Sequence, residues 1–199
     1  HVMTAAFEAW GRIDVVMNIA GFLHPGRVHE VTDRDVDLTF DVNIKGVVYG
    51  TRAAARIMVP QRRGHIVNIA SMASLAPVPG LALYCASKYA VRGFSLSAAG
   101  DLRPHGVAVT VVCPDAVKTP MLDLQKDYEE AALTFSGSVL TVDDVADVVL
   151  NQVLTRRPLE VAIPRSRELL ARAADLVPAL ALRVAPALSR KGRKAQKTY

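Results

Sequence analysis

The apolar positions of this chain fall into short β-branched runs separated by longer stretches with helical spacing. Ile13-Asp14-Val15-Val16-Met17-Asn18-Ile19, ended by Ala20-Gly21, predicts a buried strand. Phe22 to Val31 reads as a loop holding Pro25 and Gly26. Thr32-Asp33-Arg34-Asp35 fits a capping box and predicts a helix to about Met58, stopped by Pro60. The turn Arg62-Arg63-Gly64 precedes a second strand, His65 to Ala70. A loop with Pro77, Pro79 and Gly80 leads to a helix from about Leu83 to Arg103, halted by Pro104. Val107 to Val112, ended by Pro114, predicts a third strand, and Thr141-Val142-Asp143-Asp144 caps a helix to about Leu154. Leu159 to Ile163 is a short last strand. From Arg167 the pattern is helical, with a stripe at Leu169, Leu170, Ala173, Leu176 and Leu180, and then basic, predicting a disordered end.

This alternation predicts an α/β fold, a parallel sheet with helices on both faces. Residues 1–164 form its main unit, and 165–199 a C-terminal helical extension with a basic tail. Ligands of such sheets bind at the carboxyl ends of the strands. Ser71 and Pro114 follow strand ends and Tyr84 opens the next helix, so all three can face one crevice.

Composition narrows the picture without changing it. With 51% apolar residues in 199, one domain with a substantial core is expected. No run of 18 uncharged apolar residues predicts a membrane span, and Leu176 to Leu188 is interrupted by Pro178, Arg183 and Pro186. Cys85 and Cys113 lie in apolar surroundings and read as reduced core thiols of a cytoplasmic protein. The five histidines, His24 and His29 among them, lack metal-ligand spacing, so no metal site is expected. The net charge is +5, and Arg190 to Tyr199 alone carries Arg190, Lys191, Arg193, Lys194 and Lys197 without an acid. The rest is neutral, and nucleic-acid binding is not expected.

The chemistry concentrates in Leu83-Tyr84-Cys85-Ala86-Ser87-Lys88. A tyrosine exchanges a proton poorly near neutral pH because its free pKa is ~10. Lys88, four residues on, lies one helical turn away on the same face, where its charge is expected to pull the tyrosine pKa down. A lowering by two to three units takes roughly 3–4 kcal/mol. Ser71, thirteen residues before Tyr84, can donate to a carbonyl oxygen, and Asn43 lies further back. Ser74 is a rival to Ser71, and Asn43 alone reads as a surface polar residue.

In this order and spacing the residues resemble a short-chain dehydrogenase/reductase from about Gly11 to Ile163. Gly11-Arg12-Ile13-Asp14-Val15 and Asn18-Ile19-Ala20-Gly21 resemble the strand and Asn-Asn-Ala-Gly element beside the adenosine. Asn43, Ser71, Tyr84 and Lys88 match the catalytic residues. Pro114-Asp115-Ala116-Val117-Lys118-Thr119 resembles the Pro-Gly-x-x-x-Thr segment near nicotinamide. The resemblance implies a Rossmann-type doubly wound sheet and NAD or NADP as cofactor, held by Asn18, Ala20, Gly21, Tyr84, Lys88, Val117 and Thr119. Tyr84 is then the general acid or base, Ser71 polarises the carbonyl, Lys88 binds the ribose, and Asn43 fixes a water of a proton relay. Thr119 has an ordinary alternative, a local turn bond, and Asn18 another, the satisfaction of groups between strands.

The sequence departs from the family in three ways. The opening strand and Gly-rich phosphate turn are absent, so the chain reads as the C-terminal part of a longer enzyme, with on the order of 60 residues before it. The residue that selects NAD or NADP belongs to that part. Ile19 replaces an asparagine, and Asp115 replaces a glycine, adding charge at the substrate mouth. Met121 to Leu140 lies where relatives carry a substrate lid, and with Met72, Leu75, Val78 and Leu81 it suggests an apolar alcohol or ketone. The two long helices are the expected interface of a homodimer or homotetramer. Residues 167–199 can lie weakly on a membrane surface, cover the substrate mouth, or dock on the body with the basic face outward. Two other classes of function stand beside the oxidoreductase: a non-catalytic relative that binds a dinucleotide or a protein, and a peripheral membrane protein acting through its tail.

Overall fold

A computed structural model describes residues 2–199. The β-branched runs form four strands: β1 (Val15–Asn18), β2 (Gly64–Ile69), β3 (Val107–Pro114) and β4 (Glu160–Ile163). They pair in parallel in the order β1-β2-β3-β4. Helix α1 (Val2–Trp10) packs Met3 and Ala6 beside β1. Among the described residues β1 pairs with β2 alone, and Val15 and Ile19 at this edge are exposed.

Side chains alternate across a strand, so the sheet buries two faces. Val16, Ile66 and Val109 pack with Ala54 and Met58 of α3 (Gly46–Gln61), and Val111 packs with Val91 of α4 (Ala82–Leu102). On the other face Val67, Val112, Val161 and Ile163 meet Val145 and Val148 of α6 (Val142–Val148) and Val149 and Val153 beyond it. This is the expected α/β architecture, with the third strand two residues longer than predicted.

The long helix after the first loop is not uniform. Helix α2 (Asp33–Thr39) starts at the predicted capping box, where Thr32 accepts from the Asp35 amide. A π-helical segment, Phe40–Lys45, follows before α3. Pro60 does not stop the helix at Met58: α3 runs to Gln61 and turns at Arg62, which has positive φ. A proline one residue from the end removes a single hydrogen bond, to the carbonyl of the exposed Arg56, which water can satisfy. Gly50 of α3 is needed for close approach to β1, since a Cβ there would lie 2.1 Å from Asn18 Oδ1.

Beyond β3, α5 (Pro120–Asp123) and a 3₁₀ segment, Glu129–Ser136, occupy the predicted lid region. After α6 come a π-helical segment, Val149–Val153, and α7 (Leu154–Arg156), which leads to β4. The extension is α8 (Arg165–Leu176) and α9 (Pro178–Gln196). The predicted disorder of the basic end is therefore incorrect. Residues 190–196 continue α9, whose end docks on the Glu129–Ser136 segment. The buried Gln196 amide donates to the carbonyls of Gln125 and Tyr128, both at 2.9 Å. Gly192 lets the helix touch that segment: a Cβ would sit 1.9 Å from the Ala132 carbonyl oxygen. Arg193 pairs with Glu129, and Tyr199 meets the Phe135 ring edge-on at 5.4 Å.

Candidate active site

The strand ends converge as the alternation predicts. Ile19 and Gly21 after β1, Ser71 after β2, and Pro114 to Val117 with Thr119 at the end of β3 line one cleft, with Tyr84 and Lys88 of α4. Ser71 caps the short 3₁₀ turn Met72–Ser74. Its oxygen accepts from the Ala73 amide at 3.1 Å, which leaves its O–H free to donate into the cleft. Ser74 is buried, donates back to the Ser71 carbonyl and contacts Cys113. It is a brace for the turn.

Tyr84 is half-buried on the first turn of α4. Burial pushes its phenol up to about 12, while the Ser71 hydroxyl pulls the other way. The expected lowering by Lys88 is thus overturned in the protein alone. Lys88 Nζ lies over the Tyr84 ring, 5.5 Å from its centre, and donates to the Ile69 carbonyl at 3.0 Å. Burial itself depresses the Lys88 ammonium, to about 8. Desolvation is the largest cause for both members of the pair.

Asn43 sits in the π-helical segment and is fully buried. Its Oδ1 accepts from the Phe22 amide at 2.7 Å, and its Nδ2 donates to the Phe22 carbonyl and to Ser87 Oγ, both at 2.9 Å. Ser87 donates in turn to the Tyr84 carbonyl at 2.7 Å. The side chain ties the loop after β1 to α4. Both Nδ2 hydrogens are thus spent on protein partners, while Oδ1 keeps a second acceptor position. An α-helical register did not reveal this, as a π-turn leaves no periodic trace in so short a run.

Asn18 also turns inward. Its amide donates to Asn68 Oδ1 at 2.7 Å and to Thr51 Oγ1 at 3.3 Å, and Asn68 donates to Ser95 Oγ at 2.9 Å. The sequence did not single out Asn68, Thr51 or Ser95, which make this network behind the cleft. Ala20 is exposed beside the cleft, and a Cβ on Gly21 would stand 3.6 Å from Asn43 Oδ1, Lys88 Nζ and Met121 Cε. Val117 pairs with Leu140 through an isolated bridge made by its neighbours: the Leu140 amide donates to Ala116 and the Lys118 amide to Leu140. That pattern points the Val117 amide away from Leu140. Thr119 lines the cleft and donates to the Val117 carbonyl at 3.2 Å, so the local turn bond is present. Asp115 is not a free charge at the mouth, because it pairs with Arg167 of α8.

Among the described residues no group of three or more His, Cys, Asp or Glu side chains is placed to hold a metal ion. No helix among them is long and apolar enough to cross a membrane. Cys85 and Cys113 are buried and unpaired with each other.

A sequence profile described as short chain dehydrogenase matches residues 1–130. Zerumbone synthase from Zingiber zerumbet is 36% identical over 160 residues, with 72% of this chain and 60% of that protein aligned. The 3-alpha-(or 20-beta)-hydroxysteroid dehydrogenase of Mycobacterium bovis is 38% identical over 141 residues, covering 70% of this chain and 54% of the relative. The solved structure of ElxO with NADP bound is similar with a TM-score of 0.71 and 26% identity, over 81% of this chain and 70% of that one. The chain spans 60% of zerumbone synthase and 54% of the hydroxysteroid dehydrogenase. The profile match, the parallel sheet and the strand-end cleft agree, and the chain belongs to the short chain dehydrogenase family.

Proposed function

We propose that this chain carries the hydride-transfer and substrate residues of an NAD(P)-dependent oxidoreductase that interconverts an apolar alcohol and its carbonyl compound. The observation that carries this reading is the buried Lys88 ammonium beside Tyr84. It makes one hydrogen bond, to Ile69, among the described residues. An ammonium has three donors, and the remaining two lie where the cleft runs from Gly21 to Val117. Buried charged donors without protein acceptors suit a ligand with adjacent hydroxyls, such as a ribose. The Val117 amide, turned from its bridge, suits a carboxamide. The NADP bound to ElxO, a structural relative, supports the same cofactor class.

A bound nicotinamide dinucleotide supplies the hydride. Ser71 donates to the carbonyl oxygen and holds it beside Tyr84. As the carbon accepts hydride, the Tyr84 O–H passes its proton to the same oxygen, giving the alcohol and a tyrosinate. Lys88 steadies that anion until solvent returns the proton. Asn43 and Ser87 fix the helix turn that carries Tyr84. The mostly aliphatic cleft, and a relative named for hydroxysteroids, favour an apolar substrate. A homodimer or homotetramer stays part of the proposal, since Ala86, Gly93, Ser97 and Gly100 leave a flat exposed strip on α4.

The test is fluorescence titration of the full chain with NADH and NADPH, followed by ketone-dependent cofactor oxidation. Saturable binding of at least one, and its oxidation on adding an apolar ketone, is expected. Binding of neither overturns the reading.

A further inference from the structure

Helix α9 carries an apolar face that the body of the protein leaves unfilled. Val177, Leu180, Val184 and Leu188 recur every three or four residues and so share one side of the helix. Leu180, Val184 and Leu188 remain 57%, 46% and 39% exposed, with Leu170 of α8 at 62%. An isolated exposed leucine is unremarkable, but a contiguous apolar face marks a binding surface. These side chains line the same cavity of about 1080 Å³ as Ser71, Tyr84 and Lys88. That is the upper end of small-molecule sites, at roughly 300–1,000 Å³. On other sides of α9 helical spacing places Arg183, Arg190, Arg193 and Lys194, while Lys191 follows Leu188 on the apolar side, exposed and beyond the last residue of α9 that lines the cavity.

The pair of helices is tied down on all sides. Arg167 pairs with Asp115 at the end of β3, and Arg172 donates to Glu160 of β4 at 2.7 Å. Tyr89 of α4 donates to Asp175 at 2.7 Å, and the far end of α9 docks through Gln196 and Gly192. Asp115, the departure from the family's glycine, thus seats the extension. Among the described residues the charged side chains of the cavity are Lys88, Asp115 and Arg167. The last two neutralise each other and the first belongs to the reacting end, so an anionic group finds no free cation along the wall.

We infer that α8 and α9 form the outer wall of the substrate chamber and select a bulky, uncharged, hydrocarbon-like alcohol or ketone, with Asp115 and Arg167 as positioning residues. This rests on the reading of Tyr84 as the reacting end. The inference is tested on the full chain by two readouts, one independent of turnover. The first is binding of the neutral fluorophore phenylnaphthylamine. The second is the ratio of kcat/KM for decalone, a bicyclic ketone, to that for cyclohexanone. Leu180→Trp and Val184→Trp, which fill the wall, are expected to weaken fluorophore binding and lower the ratio roughly tenfold or more, as steric changes in apolar pockets do. Leu182→Trp, on the opposite side of α9, is expected to change each less than about twofold, with all three variants melting like the parent. Equal effects of Leu182→Trp and Val184→Trp, or no effect of either wall variant, would overturn the inference. Fluorophore binding with these responses but no cofactor binding would refute the oxidoreductase reading and leave the chamber standing.

Discussion

On the floor of the cleft, Asn43 and Asn68 spend their side-chain polar atoms on buried partners, while on the outer wall Leu180, Val184 and Leu188 leave much of their surface open. The floor is held by short hydrogen bonds among groups that water does not reach. The wall is held by ion pairs and caps at its edges, such as Arg193 with Glu129, half open to solvent. Partners of the first kind cannot be lost without stranding a buried polar atom, which is costly. Exposed pairs contribute little each. The floor therefore fixes the helix turn that carries Tyr84, and the wall is freer to vary.

Changes on the floor should have the larger effects. Lys88→Met removes the buried charge and its spare donors. Loss of one charged hydrogen bond, at about 1.5–3 kcal/mol, is expected to weaken NADPH or NADH binding on the order of tenfold to a hundredfold, measured by fluorescence titration. Unchanged affinity would detach Lys88 from the cofactor.

His65 of β2, at the strand end away from the cleft, gives the sheet an acid limit. Its Nε2 meets Thr110 at 2.8 Å, its Nδ1 is buried without a partner, and burial depresses its pKa from 6.5 to about 4. A folded pKa below the unfolded one means that the unfolded chain binds the proton first. Stability is then full above pH 6.5 and falls as pH drops towards 4, by on the order of 3 kcal/mol for this group. Urea unfolding at pH 7 and pH 4.5 should show that His65→Gln loses less stability across the window than the parent. An equal loss would mean that His65 does not titrate there.

A smaller cost is expected from Asn68→Ala, which takes one buried partner each from Asn18, Thr51 and Ser95. About 2 kcal/mol of stability should be lost in urea unfolding, and a Ser95→Ala change on top of it should add less than it does alone. On the wall, Gln196→Ala removes two bonds to backbone carbonyls that keep the Tyr128 and Ala131 amides as donors, and should cost about 1 kcal/mol. A wall variant as destabilising as Asn68→Ala would erase the distinction between the two regions.

The floor was largely legible in the sequence. Val15-Val16, Ile66-Val67 and Val109 to Val112 announce strands by composition. The spacing of Ser71, Tyr84 and Lys88 is local enough to place them together once the strand ends are known. What stayed hidden depended on distance or on solvent. The four-residue spacing of Tyr84 and Lys88 suggested charge attraction, but desolvation is set by the surrounding chain, and it reverses the expected shift at Tyr84. The basic run at 190–197 read as solvated because charge alone carries no sign of docking. Gly192 and Gln196 meet residues about sixty to seventy positions earlier, and no local pattern encodes that contact. Asp115 looked like a stray charge for the same reason, since its partner Arg167 lies 52 residues on.

The central claim is that Tyr84 moves the proton. It is tested most directly by single-turnover ketone reduction with saturating reduced cofactor, comparing the full chain with Tyr84→Phe. The account predicts cofactor affinity within about threefold of the parent and a reduction rate lower by roughly a hundredfold or more, the range of a lost acid catalyst. Equal rates in the two proteins would contradict it.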